Sequence, residues 1–247
     1  MYGYFEIQAK IGLTKHIGGI RSTKELISKC NINSSSYILV IGSGNGTSSV
    51  KIREISGCRI VGIDISKDMV SSAKEKEREG VKFMLGNAEK IPFPDSTFDA
   101  VISESVTAFT DKKKSISEYF RVLKKGGYLG LNEVTWLNEP NDRIKDFAIK
   151  VVGGLVPEIK KGWIDLIKKQ GFNDISERVS RMKKFEQFAG EIQMQGTDFL
   201  KIWGKFFKLY FCDREYRKSV NKMAVDAVKM PRGFIRNFGY GIYVGRK

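Results

Sequence analysis

Three alternating glycines, Gly42-Ser43-Gly44-Asn45-Gly46, follow directly on the apolar run Tyr37-Ile38-Leu39-Val40-Ile41. Glycine lacks Cβ, so it accepts positive φ and lets the main chain come close to a ligand. The residues after Gly46 can open a helix, whose first N–H groups have no partner inside the helix and suit a polar or anionic ligand group. In the dinucleotide fingerprint GxGxxG the third glycine would fall on position 47, which is Thr47. The observed GxGxG therefore points to a different ligand. Other chemistry-bearing residues are sparse. His16 is the single histidine, and Cys30, Cys58 and Cys212 lie far apart with no CxxC pair. An odd, scattered cysteine set argues against a disulfide framework and against a thiolate metal site, so no metal is expected.

The elements that must position the glycines follow from periodicity. Residues 37–41 and 59–63 are short continuous apolar runs, the pattern of strands buried on both faces of a parallel sheet. Further strands are expected at 81–85, 100–103, 128–131, 172–179 and 240–244. Helices are expected at 20–32, with Ser22 and Thr23 as caps, at 47–55, and at 66–79, with Ser66 as N-cap. Another is expected at 115–125, opened by a Ser115…Glu118 capping box and closed by Gly126-Gly127. Residues 137–162 read as a loop with a helix, 162–170 as a helix and 183–230 as helical. Strand and helix alternate every 20–30 residues, which implies right-handed crossovers and a doubly wound sheet. Such sheets bind ligands beyond the carboxyl ends of their strands.

The segment Ile38–Thr47 resembles motif I of the class I methyltransferases that use S-adenosylmethionine (SAM), and later landmarks fall in the family's order. Asp64 stands where an acidic side chain accepts hydrogen bonds from both ribose hydroxyls. Met69 stands where the family packs the adenine. The string Gly86-Asn87-Ala88-Glu89-Lys90-Ile91-Pro92-Phe93-Pro94-Asp95-Ser96-Thr97-Phe98-Asp99 is similar to the family's stretch between the third and fourth strands. There the place of Asn87 usually holds an aspartate that contacts the adenine amino group, and the amide oxygen of Asn87 can accept the same bond. Ser103 and Glu104 match positions lining the methionine end. The resemblance implies cofactor contacts from Gly42, Ser43, Gly44, Gly46, Asp64, Ile65, Met69, Asn87, Ala88, Ser103, Glu104 and Gly18, with S-adenosylhomocysteine as product. It also implies an α/β, Rossmann-like, seven-stranded, mostly parallel sheet with an antiparallel last strand, helices on both faces and helical insertions in the C-terminal half. The chain then divides as one domain. Residues 1–35 form an N-terminal lid and helix, 36–135 the SAM-binding core, 136–162 and 181–237 helical insertions over the acceptor, and 238–247 the closing strand. One departure stands out: Val40 occupies a position where most relatives carry an acid, and Glu104 is the candidate replacement.

Within that resemblance His16 falls in a lid segment, where a neutral imidazole could take a proton from the acceptor; the alternative is a residue that orients the lid. Glu133, after the fifth strand, is a second candidate base, or a cap for local backbone. Gly18-Gly19 either brings the lid close to SAM or makes a plain turn. Residues 199, 202, 203, 206, 207 and 210 of an aromatic, lysine-studded stretch fall on one helical face. That face suits packing, the wall of an apolar acceptor pocket, or contact with an anionic membrane. The Phe98-Asp99 string and the closing strand most resemble the subgroup acting on quinones and sterols, so a small, apolar or aromatic acceptor is expected, lipid- or quinone-like.

Of 247 residues 41% are hydrophobic, enough for a sizeable core, and no apolar run approaches the ~18 residues that span a bilayer. Neither a signal nor a transit pattern opens the chain, which fits a cytoplasmic protein. The net charge of +15 leaves RNA as an alternative acceptor. The lysines are dispersed, however. No Asn-Pro-Pro-Tyr signature follows the fourth strand, where Ser103-Glu104-Ser105-Val106 stands, and there is no Pro-Cys pair. A second alternative is a non-catalytic SAM-binding protein on the same fold.

Overall fold

The computed structural model describes residues 1–182, 190, 192–196 and 198–247. Its centre is a sheet of β1 (Tyr37–Ile41), β2 (Arg59–Asp64), β3 (Val81–Leu85), β4 (Phe98–Glu104), β5 (Leu123–Trp136), β7 (Asn173–Arg181) and β8 (Phe238–Arg246), in the spatial order β3-β2-β1-β4-β5-β8-β7. The first five strands run parallel, while β8 is antiparallel to both β5 and β7. An eighth strand, the two-residue β6 (Glu158–Ile159), pairs beside the end of β5, an addition to the seven expected.

Burial on both faces explains the unbroken apolar runs. Leu39, Ile41, Val61, Ile63 and Val101 point to one side. There they meet Ile116 and Tyr119 of α5 (Lys112–Val122) and Trp163 and Ile167 of α7 (Lys160–Lys169). Ile38, Val40, Ile60 and Ile102 point to the other side, against Leu26 of α2 (Gly19–Lys29), Ile52 of α3 (Thr47–Ser56) and Ala73 of α4 (Lys67–Lys74). The strand order reverses between β1 and β4, so the carboxyl ends of β1, β2 and β4 frame a crevice at the switch point.

Further helices among the described residues are α1 (Tyr4–Ile11), α6 (Asp142–Val151), α8 (Asp198–Cys212), α9 (Arg214–Val228) and α10 (Phe234–Asn237). Ile7 and Ile11 of α1 pack on Ile202 of α8 and Tyr216 of α9, a third cluster apart from the sheet. Thus the first helix and the α8–α9 pair cover one another. Of the helical stretch expected at 183–230, residues 183–189, 191 and 197 lie outside the described residues.

Several local expectations are corrected. Ser22 and Thr23 are buried inside α2 and do not cap it; Gly18, at φ +87°, holds the N-cap position. The helix capped by Ser66 ends at Lys74, because Glu77 is drawn off to accept a bond from the Phe83 amide. The Ser115…Glu118 box does not form. The helix begins a turn earlier, with Asp111 accepting from the Lys113 and Lys114 amides, while Glu118 binds the Ile91 amide and Arg121. Gly126-Gly127 lies within β5 and does not close α5.

Candidate functional site

β1 ends at Ile41 and the chain turns through Gly42 and Gly44, at φ +61° and +54°. Close approach reinforces the demand for glycine. A Cβ on Gly42 would sit 2.3 Å from Val106 Cγ2, and one on Gly44 2.4 Å from Thr14 Oγ1. Asp64, at the end of β2, grips this loop. Its Oδ2 accepts from the Gly44 amide at 2.8 Å and its Oδ1 from the Ser66 amide at 2.9 Å. Burial pushes its pKa above the ordinary carboxylate value, against the pull of these backbone donors. Ser66 then caps α4 by accepting from the Met69 amide.

The crevice above these strand ends is a cleft of about 710 Å³. Of the twelve expected cofactor contacts, Gly42, Gly44, Asp64, Ile65, Met69, Asn87, Ala88 and Glu104 line it. Phe5, Ala9, Leu13, Val106 and Phe109 add an apolar wall. Asn87 Oδ1 already accepts from the Glu89 amide at 2.8 Å, closing a local turn.

The other four expected contacts lie behind the cleft surface. Ser43 is buried, with its amide on the Ile63 carbonyl. Gly46 starts α3 and backs onto Phe83. Ser103 is fully buried, bonded to Thr107 and Glu133. Gly18 makes the tight turn into α2, where a Cβ would strike Ser22 Oγ.

Both candidate bases are buried and engaged by neighbouring groups. His16 is buried, with Nδ1 3.3 Å from Ser48 Oγ and Nε2 3.3 Å from Thr23 Oγ1, and it lines a separate small cavity beside Gln195. Glu133 is fully buried and gathers the loop after β4. Its Oε1 accepts from Ser103 Oγ and the Val106 and Thr107 amides, its Oε2 from the Ala108 amide. Burial pushes its pKa up to about 7 despite these donors. The backbone-capping alternative is the one this geometry fits.

Glu104, at the end of β4, differs from both. Its Oε1 accepts from Thr23 Oγ1 at 2.9 Å and lies 3.5 Å from His16 Nε2. Its Oε2 is buried with no hydrogen-bond partner among the described residues, in a residue that lines the cleft. An unpartnered buried carboxylate oxygen is costly, and a cationic or donor group of a ligand would relieve it. Val40, by contrast, points into the core beside Ile38 and Ile52.

Sequence reasoning missed the clamp that closes the N-terminal segment over the glycine loop. The Asn45 amide donates to Thr14 Oγ1 at 2.9 Å, and Asn45 Nδ2 donates to the Gly12 carbonyl at 2.7 Å. Gln195 Nε2 donates to the Thr14 carbonyl, Asn132 Nδ2 to the Ile17 carbonyl, and the Ile17 amide to Ser105 Oγ. A local signal was present for the helix of this segment, not for its contacts: the apolar spacing Phe5–Ile11 stopped by Gly12 marks a short helix with a glycine end.

Residues 39–131 match the family model described as a methyltransferase domain. The chain is 34% identical over 122 residues to the ubiquinone/menaquinone biosynthesis C-methyltransferase UbiE of Marinomonas sp., a match covering 45% of this chain and 49% of the relative. It therefore spans about half the length of that relative. Among solved structures, the [4+2]-cyclase SpnF superposes with a TM-score of 0.76 at 20% identity, covering 98% of this chain and 91% of the other. The phosphoethanolamine N-methyltransferase 2 of Haemonchus contortus, in complex with SAM, gives 0.73 at 19% identity, covering 98% and 57%. The glycine loop and the acid after β2 fall within residues 39–131, the stretch that is similar to the methyltransferase domain, and the chain shares the fold of these solved structures.

Proposed function

We propose that this chain transfers the methyl group of SAM to a small, apolar or aromatic acceptor, lipid- or quinone-like, held under α1. The observation that carries this reading is the division of one cleft into two chemistries. One end has the glycine loop, Asp64 and the unpartnered Glu104 oxygen. The other has Phe5, Ala9, Leu13, Val106 and Phe109.

The cofactor supplies an already activated methyl group. Asp64 would accept hydrogen bonds from the ribose hydroxyls through its remaining lone pairs. Gly42 and Gly44 would give the methionine end room against the backbone. Glu104 Oε2 would take the ammonium, replacing the acid missing at Val40. Met69 and Ile65 would pack the adenine. The apolar wall excludes water and fixes the acceptor in line with the reacting bond, where correct placement alone lowers the barrier by several kcal/mol. Glu133 stays out of the chemistry and holds the Val106–Ala108 loop against Gly42. With His16 and Glu133 both engaged, the reading favours an acceptor atom that is nucleophilic without a protein base.

The test is label transfer from methyl-labelled SAM to separate pools of quinols, sterols, amino-alcohol phosphates and RNA. Label in an apolar small-molecule pool is expected. Label confined to RNA would sink the acceptor reading, and SAM binding without turnover on any pool would favour the non-catalytic alternative.

A further inference from the structure

Helix α8 has one buried side and two open ones. Ile202, with Phe206, Leu209 and Tyr210, packs toward Ile7 and Ile11 of α1 and Tyr216 of α9. The single face expected from residues 199, 202, 203, 206, 207 and 210 is thus split, because Trp203 and Phe207 turn outward. Leu200, Trp203, Phe207 and Phe211, spaced by three and four, are 78%, 42%, 52% and 69% exposed. A helical wheel puts them in one stripe and Lys201, Lys205 and Lys208, all exposed, in the adjoining one. Asp198 is the one acid in α8, and it pairs with Lys76 and Lys201 at its first turn.

We infer that α8 docks this protein on an anionic lipid surface, with Leu200, Trp203, Phe207 and Phe211 entering the headgroup–acyl boundary and Lys201, Lys205 and Lys208 facing the lipid phosphates. Exposed large apolar side chains in a stripe mark a partner surface, and a basic flank beside aromatic and leucine residues is the pattern of a helix lying in a membrane interface. Charge decides against a second copy of the chain. Two molecules at +15 each would bring lysine flank toward lysine flank. Ring packing weighs against single-stranded nucleic acid. Trp203 packs on Phe199, Phe206 and Phe207, with centroids 6.1, 5.5 and 5.8 Å away, and Leu200 offers no ring for a base to stack on. The dispersed surplus of basic residues gives the whole molecule a long-range attraction of the same sign.

The helix that carries the docking face packs on α1, and α1 walls the cleft. α1 turns Ile7 and Ile11 to α8 and Phe5, Gln8 and Ala9 to the cleft. The inference goes beyond the acceptor reading and holds whether or not the acceptor is itself a lipid.

The test is flotation of the full chain with vesicles of phosphatidylcholine alone and with one part in three of phosphatidylglycerol. Binding is expected to the anionic vesicles, weakening with salt. Each lysine near such a surface strengthens binding about fivefold, so Lys201→Gln, Lys205→Gln and Lys208→Gln together should weaken it by roughly a hundredfold. Phe207→Asp should abolish it. Circular dichroism and SAM affinity, read on the same variants, are expected to stay at wild-type values, which separates this result from failure of the cofactor site. Four outcomes would overturn the inference: no binding by the wild type, equal binding by the variants, a wild-type dimer that Phe207→Asp splits, or binding to polyuridylate in place of vesicles.

Discussion

Glu133 offers a test of the loop beside the cleft that needs no ligand. Its carboxyl is fully buried and its pKa is raised from 4.5 to about 7. Between these values the folded protein keeps a proton that the unfolded chain has released. The stability this group contributes is therefore fully present below about pH 4.5 and is lost as pH rises through about 7. At about 1.36 kcal/mol per unit, the gap amounts to about 3 kcal/mol as an order of magnitude. Glu133→Gln removes the titration but keeps an acceptor for the Val106 and Thr107 amides; its amide nitrogen would face the Ala108 N–H, losing one bond at about 1 kcal/mol. Urea unfolding of both proteins, followed by the fluorescence of buried Trp136 and Trp163, should show the variant weaker at pH 5. Near pH 8.5 the difference should close or reverse. Parallel stability curves for the two proteins across that range would refute the assignment of a raised pKa to this carboxyl.

Two further perturbations address the clamp and the glycine loop. Asn45→Ala removes the side-chain bond to the Gly12 carbonyl while leaving the backbone bond to Thr14, and should cost about 1–2 kcal/mol. Limited proteolysis should then cut faster around residues 12–15; an unchanged rate would show that Asn45 does not hold the segment. Gly42→Ala must relieve a 2.3 Å contact with Val106 at a positive φ, and should destabilise by about 1–3 kcal/mol and weaken SAM binding at least tenfold by calorimetry. Wild-type values on both readings would contradict the close packing of the loop.

The strands of the parallel half were legible because burial on both faces leaves an unbroken apolar run. Residues 37–41 and 81–85 emerge with the expected bounds. Helix ends were harder to read, since Asp111 and Gly18 compete as caps with Ser115, Ser22 and Thr23, and only packing decides which polar side chain is buried. The place of Asp64 at the cleft was legible from the family resemblance, which sets an acid at the end of the second strand. The positions of His16 and Glu133 were not readable. The first depends on Ser48 and Thr23 meeting it from two separate helices, the second on a loop folding back over β5 to present its amides. The Asn45 clamp joins residues 31 apart or more to the glycine loop, and no local pattern encodes such a contact.

The most direct measurement is calorimetric titration of SAM into the wild type, Asp64→Ala and Glu104→Gln. Binding by the wild type is expected, with at least a tenfold loss in Asp64→Ala and a similar loss in Glu104→Gln, whose neutral amide cannot pair with the ammonium. Titration with 5′-methylthioadenosine, which lacks the ammonium, should show the Asp64→Ala loss but no loss from Glu104→Gln. A wild type that does not bind SAM, or a Glu104→Gln variant that binds SAM as tightly as the wild type, would contradict the cofactor site proposed for this cleft.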